Sequence, residues 1–279
     1  MNKRIVVGVD HTRHSLKAVD VAIARALHHQ GVVIGVGFVD LPGLERANTL
    51  VAPAAAFVAH KMLASHRAEM EKRTLYLLEQ FIDRCRTAGV DFETKVAEGR
   101  PDDGLFELSL TADLVVLGTR THFAYESKQM SDDTLSQMVS RRVCPVLAVP
   151  PDVELPVPNV LFPYDGSAAA ARALRLFVYL TPPLAADPNL VLLCVTDDEK
   201  EGQRLLDGPA RFLEGHGHKV TREVVAGSPK KVVVRRAREL QPGVVVLGAQ
   251  GQGRLRERVF GSVSKRLIED GSLPLFLTA

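Results

Sequence analysis

Apolar residues along the chain fall into short unbroken runs, and between the runs they recur at helical spacing. In the second half, runs near 159–163, 190–195, 219–226, 244–247 and 275–278 predict strands, and the stretches near 168–180, 199–215, 230–240 and 262–270 predict helices between them. Runs of Val and Leu without polar alternation belong to strands covered on both faces, hence to a parallel sheet flanked by helices. The first half repeats the pattern and adds one long helix, on which Leu75, Leu78, Ile82 and Cys85 are expected to share a buried face.

The two halves align residue by residue. Ile5-Val-Val-Gly-Val-Asp10 returns as Val160-Leu-Phe-Pro-Tyr-Asp165, Gly99-Arg-Pro101 as Gly227-Ser-Pro229, Leu114-Val-Val-Leu-Gly118 as Val244-Val-Val-Leu-Gly248, and Cys144-Pro145 as Leu273-Pro274. The offset is 155 at the aspartates and then 128, 130 and 129, so the first half carries one insertion. Val39 to Gly99 spans 60 positions against 31 for Thr196 to Gly227, which locates the extra 29 within residues 40–70, around the Ala-rich Val51 to Ala56. Two doubly wound, Rossmann-like α/β domains are expected, 1–150 and 159–279. Pro151 to Pro158, with three prolines and two acids, joins them as a linker.

A chain of 279 residues with 46% hydrophobic content is long enough for two separate cores. The 35 basic and 33 acidic residues leave a net charge of +2, too even a balance to indicate nucleic-acid or membrane partners. Cys85, Cys144 and Cys194 stand far apart without a Cys-x-x-Cys pair, as expected of free thiols in a reducing compartment. The apolar run before Asp10 is too short for a signal peptide, and none approaches the ~20 residues that span a bilayer. The expected protein is soluble and cytoplasmic.

The chemistry concentrates where strands give way to helices. After Val244 to Leu247 comes Gly248-Ala-Gln250-Gly251-Gln-Gly253-Arg254, and a helix pattern then opens at Gly261-Ser262-Val263-Ser264, giving the spacing Gly-x2-Gly-x9-Gly-Ser. Glycine backbone and a helix N-terminus can cradle phosphate, and a serine there can cap the helix or donate to an anion. The alternative is a Gly-rich loop closed by an ordinary helix start. Phe162-Pro163-Tyr164-Asp165-Gly166-Ser167 ends the first strand of this half in Asp-Gly-Ser. In a doubly wound sheet, ligands bind beyond the carboxyl ends of the strands where the connections reverse direction, and Asp165 and Gly248 end the strands that flank that point. No Gly-Lys-Ser/Thr closes the loop, so it is not a Walker motif, and Gly-x-Gly-x-x-Gly is absent.

With these two signatures the chain resembles the universal stress protein family, in its nucleotide-binding branch, as a tandem pair across nearly its whole length. The resemblance implies the adenine nucleotide alpha hydrolase-like fold and one ATP per chain, with Mg or Mn as its metal. It places Asp165 against the ribose or a metal-bound phosphate beside Pro163, and Val195 where backbone reads adenine. Gly248, Gln250, Gly251, Gly253, Arg254, Gly261, Ser262, Val263 and Ser264 would wrap the phosphates. Tyr164 packs. Arg254, Arg256 and Arg258 either reach the terminal phosphates or lie in a solvated loop balanced by Glu257. In the first half Thr121 stands in place of the second glycine, and Asp132 and Asp133 in place of the Gly-Ser pair, so that site reads as lost or altered. His28-His29 and His216-Gly-His218 read as surface residues rather than metal ligands.

No catalytic constellation stands out: there is no Gly-x-Ser-x-Gly elbow, recognisable Cys/His pair or evident base. A nucleotide-dependent stress-response or signalling module acting on an unknown protein partner is the first reading. A slow ATPase or nucleotidyl-transfer enzyme in the same pocket is the second, and a dimerisation protein without nucleotide the third. The resemblance also implies pairing of final strands, commonly between subunits. Here Val146 to Val149 and Leu275 to Thr278 lie in one chain, and tethering favours their pairing with each other as an internal pseudo-dimer, with any further homodimer formed elsewhere.

Overall fold

The apolar runs of the first half become β1 (Arg4–Gly8), β2 (Val32–Val39) and β4 (Leu114–Gly118), and β3 (Asp91–Glu98) is polar along most of its length. The computed structural model describes residues 3–39, 56–121, 123, 134–141, 143–153, 159–181, 189–248 and 261–278, with backbone alone for 56–63. Between the strands run α1 (Arg13–His29), α2 (Ala56–Ala88) and α3 (Pro101–Ser109), and α4 (Thr134–Arg141) follows β4. The strand order is β3-β2-β1-β4, all parallel, with Val6 opposite Ile34 of β2 and Val115 of β4. Ile5, Val6 and Val7 are almost completely buried, as the central position of β1 requires. β3 closes the edge, which suits its charges.

In the second half β6 (Asn159–Pro163), β7 (Asn189–Val195), β8 (Lys219–Val225), β9 (Val244–Gly248) and β10 (Leu275–Thr278) alternate with α5 (Ala168–Leu180), α6 (Glu199–Gly215), α7 (Pro229–Leu240) and α8 (Ser262–Asp270). The order is β10-β9-β6-β7-β8, again parallel. Helices α5 and α6 pack together, as do α7 and α8, which covers the sheet on both faces. The helices start where side chains satisfy their first amides: the Ser167 hydroxyl accepts from the Ala170 N–H at 3.1 Å, and the Asp198 carboxylate accepts from that of Glu201 at 3.0 Å.

The last strand of the first repeat, β5 (Val146–Val149), runs antiparallel to β10, with Leu147 opposite Phe276. The pairing expected of the two final strands is therefore present. Contacts divide the chain at Met138, so that Met1–Met138 and Val139–Ala279 form two units and β5 lies in the second.

The long helix departs from its expected face. Leu78 and Cys85 are buried, but Leu75 is 47% exposed and Ile82 only half-buried. Met70, Thr74, Leu78, Phe81 and Cys85 form the buried face instead. The cause lies in β2. A Cβ on Gly35 would stand 2.6 Å from the Phe81 ring and one on Gly37 2.5 Å from Thr74 Cγ2, so the glycines let the helix settle onto the strand. Thr74 Oγ1 then donates to the Phe38 carbonyl at 3.1 Å, which satisfies a polar group inside the core. At 33 residues α2 is far longer than the 17-residue α6, its counterpart, so part of the insertion is helix. The Ala-rich stretch before Ala56 lies outside the described residues.

Candidate functional site

In the second unit the connections reverse between β6 and β9, and the carboxyl ends of both strands open at one edge of the sheet. Pro163 ends β6, Val195 ends the neighbouring β7 and Gly248 ends β9. Because α8 returns the chain from β9 to the parallel β10, its first residues, Ser262, Val263 and Ser264, start from this edge. Pro163, Asp165, Val195, Gly248 and Gly261 to Ser264 are thus all assigned to one end of the sheet. Gln250, Gly251, Gly253 and Arg254 lie outside the described residues, as do Arg256 and Arg258.

Asp165 turns the chain out of β6. Its carboxylate accepts from the Ser167 N–H at 3.0 Å, and Gly166 between them takes φ 75°, a left-handed conformation that favours glycine. Asp165 is exposed, whereas Tyr164 is half-buried with its phenol pushed up by burial and then by the Asp165 charge, against an opposing pull from Arg175. Burial, then Asp165 and Glu201, push up the Cys194 thiol of β7. The carboxylate is therefore felt at the ends of two adjacent strands.

Gly248 has a structural reason of its own. A Cβ there would lie 2.6 Å from the Ala169 carbonyl carbon and 2.7 Å from the Ala170 nitrogen, so the end of β9 abuts the first turn of α5. Gly118 abuts α1 in the same way, 2.6 Å from His14 Cβ. Both are kept by close packing, whether or not a ligand is present.

The N-terminus of α8 offers donors. Its N-cap, Gly261, provides no side-chain cap, and neither does Ser228 on α7, whereas Ser167 caps α5 and Asp198 caps α6. Ser262 is exposed and Ser264 is 2% exposed. Facing Gly248 in register is Thr278 of β10, a buried residue whose Oγ1 finds no partner among the described residues. Sequence reading passed over Thr278; a threonine closing the run Leu275-Phe-Leu was its only signal. Uncapped amides, hydroxyls and glycine backbone suit the oxygens of a phosphate chain.

The same edge of the first unit is tied up internally. Buried Asp10 accepts from the Thr12 N–H at 2.7 Å, its own N–H donates to Ser15 Oγ at 2.8 Å, and Ser15 Oγ donates to the Gly8 carbonyl at 3.1 Å. His14 Nδ1 and Thr119 Oγ1 stand 3.0 Å apart. Asp132 and Asp133 lie outside the described residues.

The sequence model of the universal stress protein family matches residues 1–150 and 157–278. The chain belongs to the universal stress protein family. Universal stress protein Slr1230 of Synechocystis is 26% identical over 175 residues, a match spanning 62% of this chain and 60% of that protein. A universal stress protein from Archaeoglobus fulgidus superimposes with TM-score 0.69 at 18% identity, over 99% of this chain and 97% of its own. PA1789 of Pseudomonas aeruginosa gives 0.57 at 12%, over 99% and 92%. These solved structures share the fold. Among the described residues no group of His, Cys, Asp and Glu is arranged to hold a metal, and no helix is long and apolar enough to cross a membrane.

Proposed function

We propose that this universal stress protein binds ATP, one molecule per chain, at the carboxyl ends of β6 and β9, and acts as a nucleotide-dependent module on a protein partner. The observation that carries the reading is the uncapped N-terminus of α8 at Gly261, with Ser262 and Ser264 on its first turn, at the edge where Asp165 leaves β6. In this reading the α8 amides and the two serine hydroxyls hold phosphate oxygens, with Gln250, Gly251, Gly253 and Arg254 completing the wrap. Asp165 takes the ribose or a phosphate-bound Mg or Mn ion, and Val195 meets the adenine beside Pro163. Support for a single site comes from the first unit, where Thr121 replaces the second motif glycine.

Titration calorimetry with ATP and with cyclic AMP, which lacks the β- and γ-phosphates, tests this. One ATP per chain is expected, with cyclic AMP bound at least tenfold more weakly; two equivalent ATP sites, or none, overturn it. Gly251→Val is expected to abolish binding and leave the circular dichroism spectrum unchanged, because a β-branched side chain is added where the backbone meets ligand. Single-turnover mixing with radiolabelled ATP separates the module from an enzyme: labelled product that disappears in Asp165→Ala marks an enzyme.

A further inference from the structure

Past Gly118 the first unit carries a residue the nucleotide reading does not use. Phe123 lies five positions beyond the end of β4 and is 2% exposed. Its ring meets Phe38 edge to face, with centroids 4.9 Å apart and planes at 69°. A Cβ on Gly8 would stand 2.6 Å from Phe123 Cζ and 3.3 Å from Cε1, so the ring lies against the bare Cα of that glycine.

Those contacts fix where the ring is. Gly8 is the last residue of β1, and Phe38 is the penultimate residue of its neighbour β2. The connections reverse between β1 and β4, so the ring packs on the face of the sheet at the carboxyl ends of adjacent strands, next to the point where open α/β sheets take their ligands. Leu117, whose Cδ2 a Cβ on Gly8 would meet at 2.9 Å, and Phe38, whose own ring lies against Gly104 of α3, flank it. The repeat makes the comparison residue by residue. Gly8 corresponds to Pro163 through the 155 offset, and the registers Arg4 to Val32 and Asn159 to Asn189 make Phe38 the counterpart of Val195. Phe123 stands where the second half has Gly253, by the 130 offset of Gly118 and Gly248.

We propose that Phe123 is an intramolecular occupant of the first unit's crevice, its ring lying where a planar aromatic ligand of nucleoside type would otherwise lie. Edge-to-face contact with Phe38 gives the ring the geometry that favours aromatic pairs. The Gly8 Cα gives it depth: any larger residue at position 8 would push it out. Beside it, Asp10, Ser15, His14 and Thr119 already have one another or backbone as partners. The inference concerns the first unit alone and stands whether or not the second binds ATP.

The test is ligand rescue of Phe123→Ala. The variant is expected to melt below the wild type, and millimolar adenosine to raise its melting temperature by about 2 °C or more beyond any shift in the wild type. Photolabelling with 8-azidoadenosine should then mark peptides from residues 4–39 in the variant and not in the wild type. An ordinary core position leaves a closed cavity that takes benzene but not a nucleoside. Rescue by benzene without adenosine, no rescue by either, or equal labelling of that segment in both proteins would overturn the proposal. A second measurement covers an alanine variant that does not fold. Gly8→Ala should lower the melting temperature of the wild type more than that of Phe123→Leu, because the Cβ meets Leu117 Cδ2 at 2.9 Å in both proteins but meets a ring in the wild type alone, and equal losses would sink the idea.

Discussion

Gly248→Ala separates the structural role of the motif glycine from its role towards a ligand. The added Cβ would meet the Ala169 carbonyl carbon at 2.6 Å and the Ala170 nitrogen at 2.7 Å. Carbon atoms rest at about 3.5–4.0 Å, so the end of β9 and the first turn of α5 must part by roughly 1 Å. Both obstacles are backbone in a capped helix start, which cannot swing aside as a side-chain tip can. Overpacking of this kind costs about 1–3 kcal/mol, and the upper end applies here. Lower entropy of the unfolded alanine chain offsets about 0.4–1 kcal/mol. A net loss of about 2 kcal/mol moves the urea midpoint of the second unit down by about 1 M, at a slope of about 2 kcal/mol per molar. Circular dichroism is the probe, since the chain has no tryptophan. The measurement is made without nucleotide, so the loss is one of packing. Gly118→Ala, 2.6 Å from His14 Cβ, should do the same to the first unit. A Gly248→Ala midpoint equal to or above that of the wild type would refute the argument.

Gly215, the last residue of α6, has nothing beyond its chain neighbours within 4 Å of a built Cβ and no left-handed φ, so Gly215→Ala should stabilise by about 0.4–1 kcal/mol in the same urea experiment. Burial pushes the Cys85 thiol up to about 11, whereas Cys144 is only partly buried. Iodoacetamide at pH 8 should therefore alkylate Cys144 first and Cys85 only on unfolding, and equal rates in native protein would contradict this. The Asp270 carboxylate is held below its usual 3.8 by the Ser272 hydroxyl and then by Arg238 at 2.9 Å. A depressed native value stabilises above the usual one and loses that contribution as pH falls through the lowered one. Asp270→Asn should thus lower stability by up to ~1 kcal/mol at pH 7 and by progressively less as the pH is taken below 3.8, as a series of urea midpoints against pH would report.

What the sequence made legible follows from where pattern and physics coincide. The strands around Val115 and Val245 are unbroken apolar runs that repeat, and repetition fixes their place twice over. The start of α5 was readable because Ser167 caps it. The buried face of α2 departs from the apolar period because Thr74, a polar residue, occupies the core position and the neighbouring Leu75 is exposed. Only the pairing of Thr74 with Gly37 and the Phe38 carbonyl makes that position tolerable. Phe123 was silent for a different reason: a single aromatic after a strand carries no period, and its meaning depends on Gly8 and Phe38, more than eighty residues upstream. Gly248 was legible as a glycine that must stay, but the close approach of α5 that requires it is a tertiary fact.

The antiparallel pair of β5 and β10 has a consequence for the order of assembly. Leu147 and Phe276 stand 129 positions apart, whereas Asn159 and Asn189, partners in β6 and β7, are 30 apart. Closing the longer loop costs about 1 kcal/mol more in chain entropy, and that cost falls due before the short ladder offers any return. The β6–β7 pair can therefore form while β5 and β10 are still apart, each presenting a bare apolar edge. In a concentrated refolding mixture the β10 edge of one chain can meet the β5 edge of another before its own. The slow step would then be a search between alternative partners, and refolding yield, rather than final stability, would depend on protein concentration.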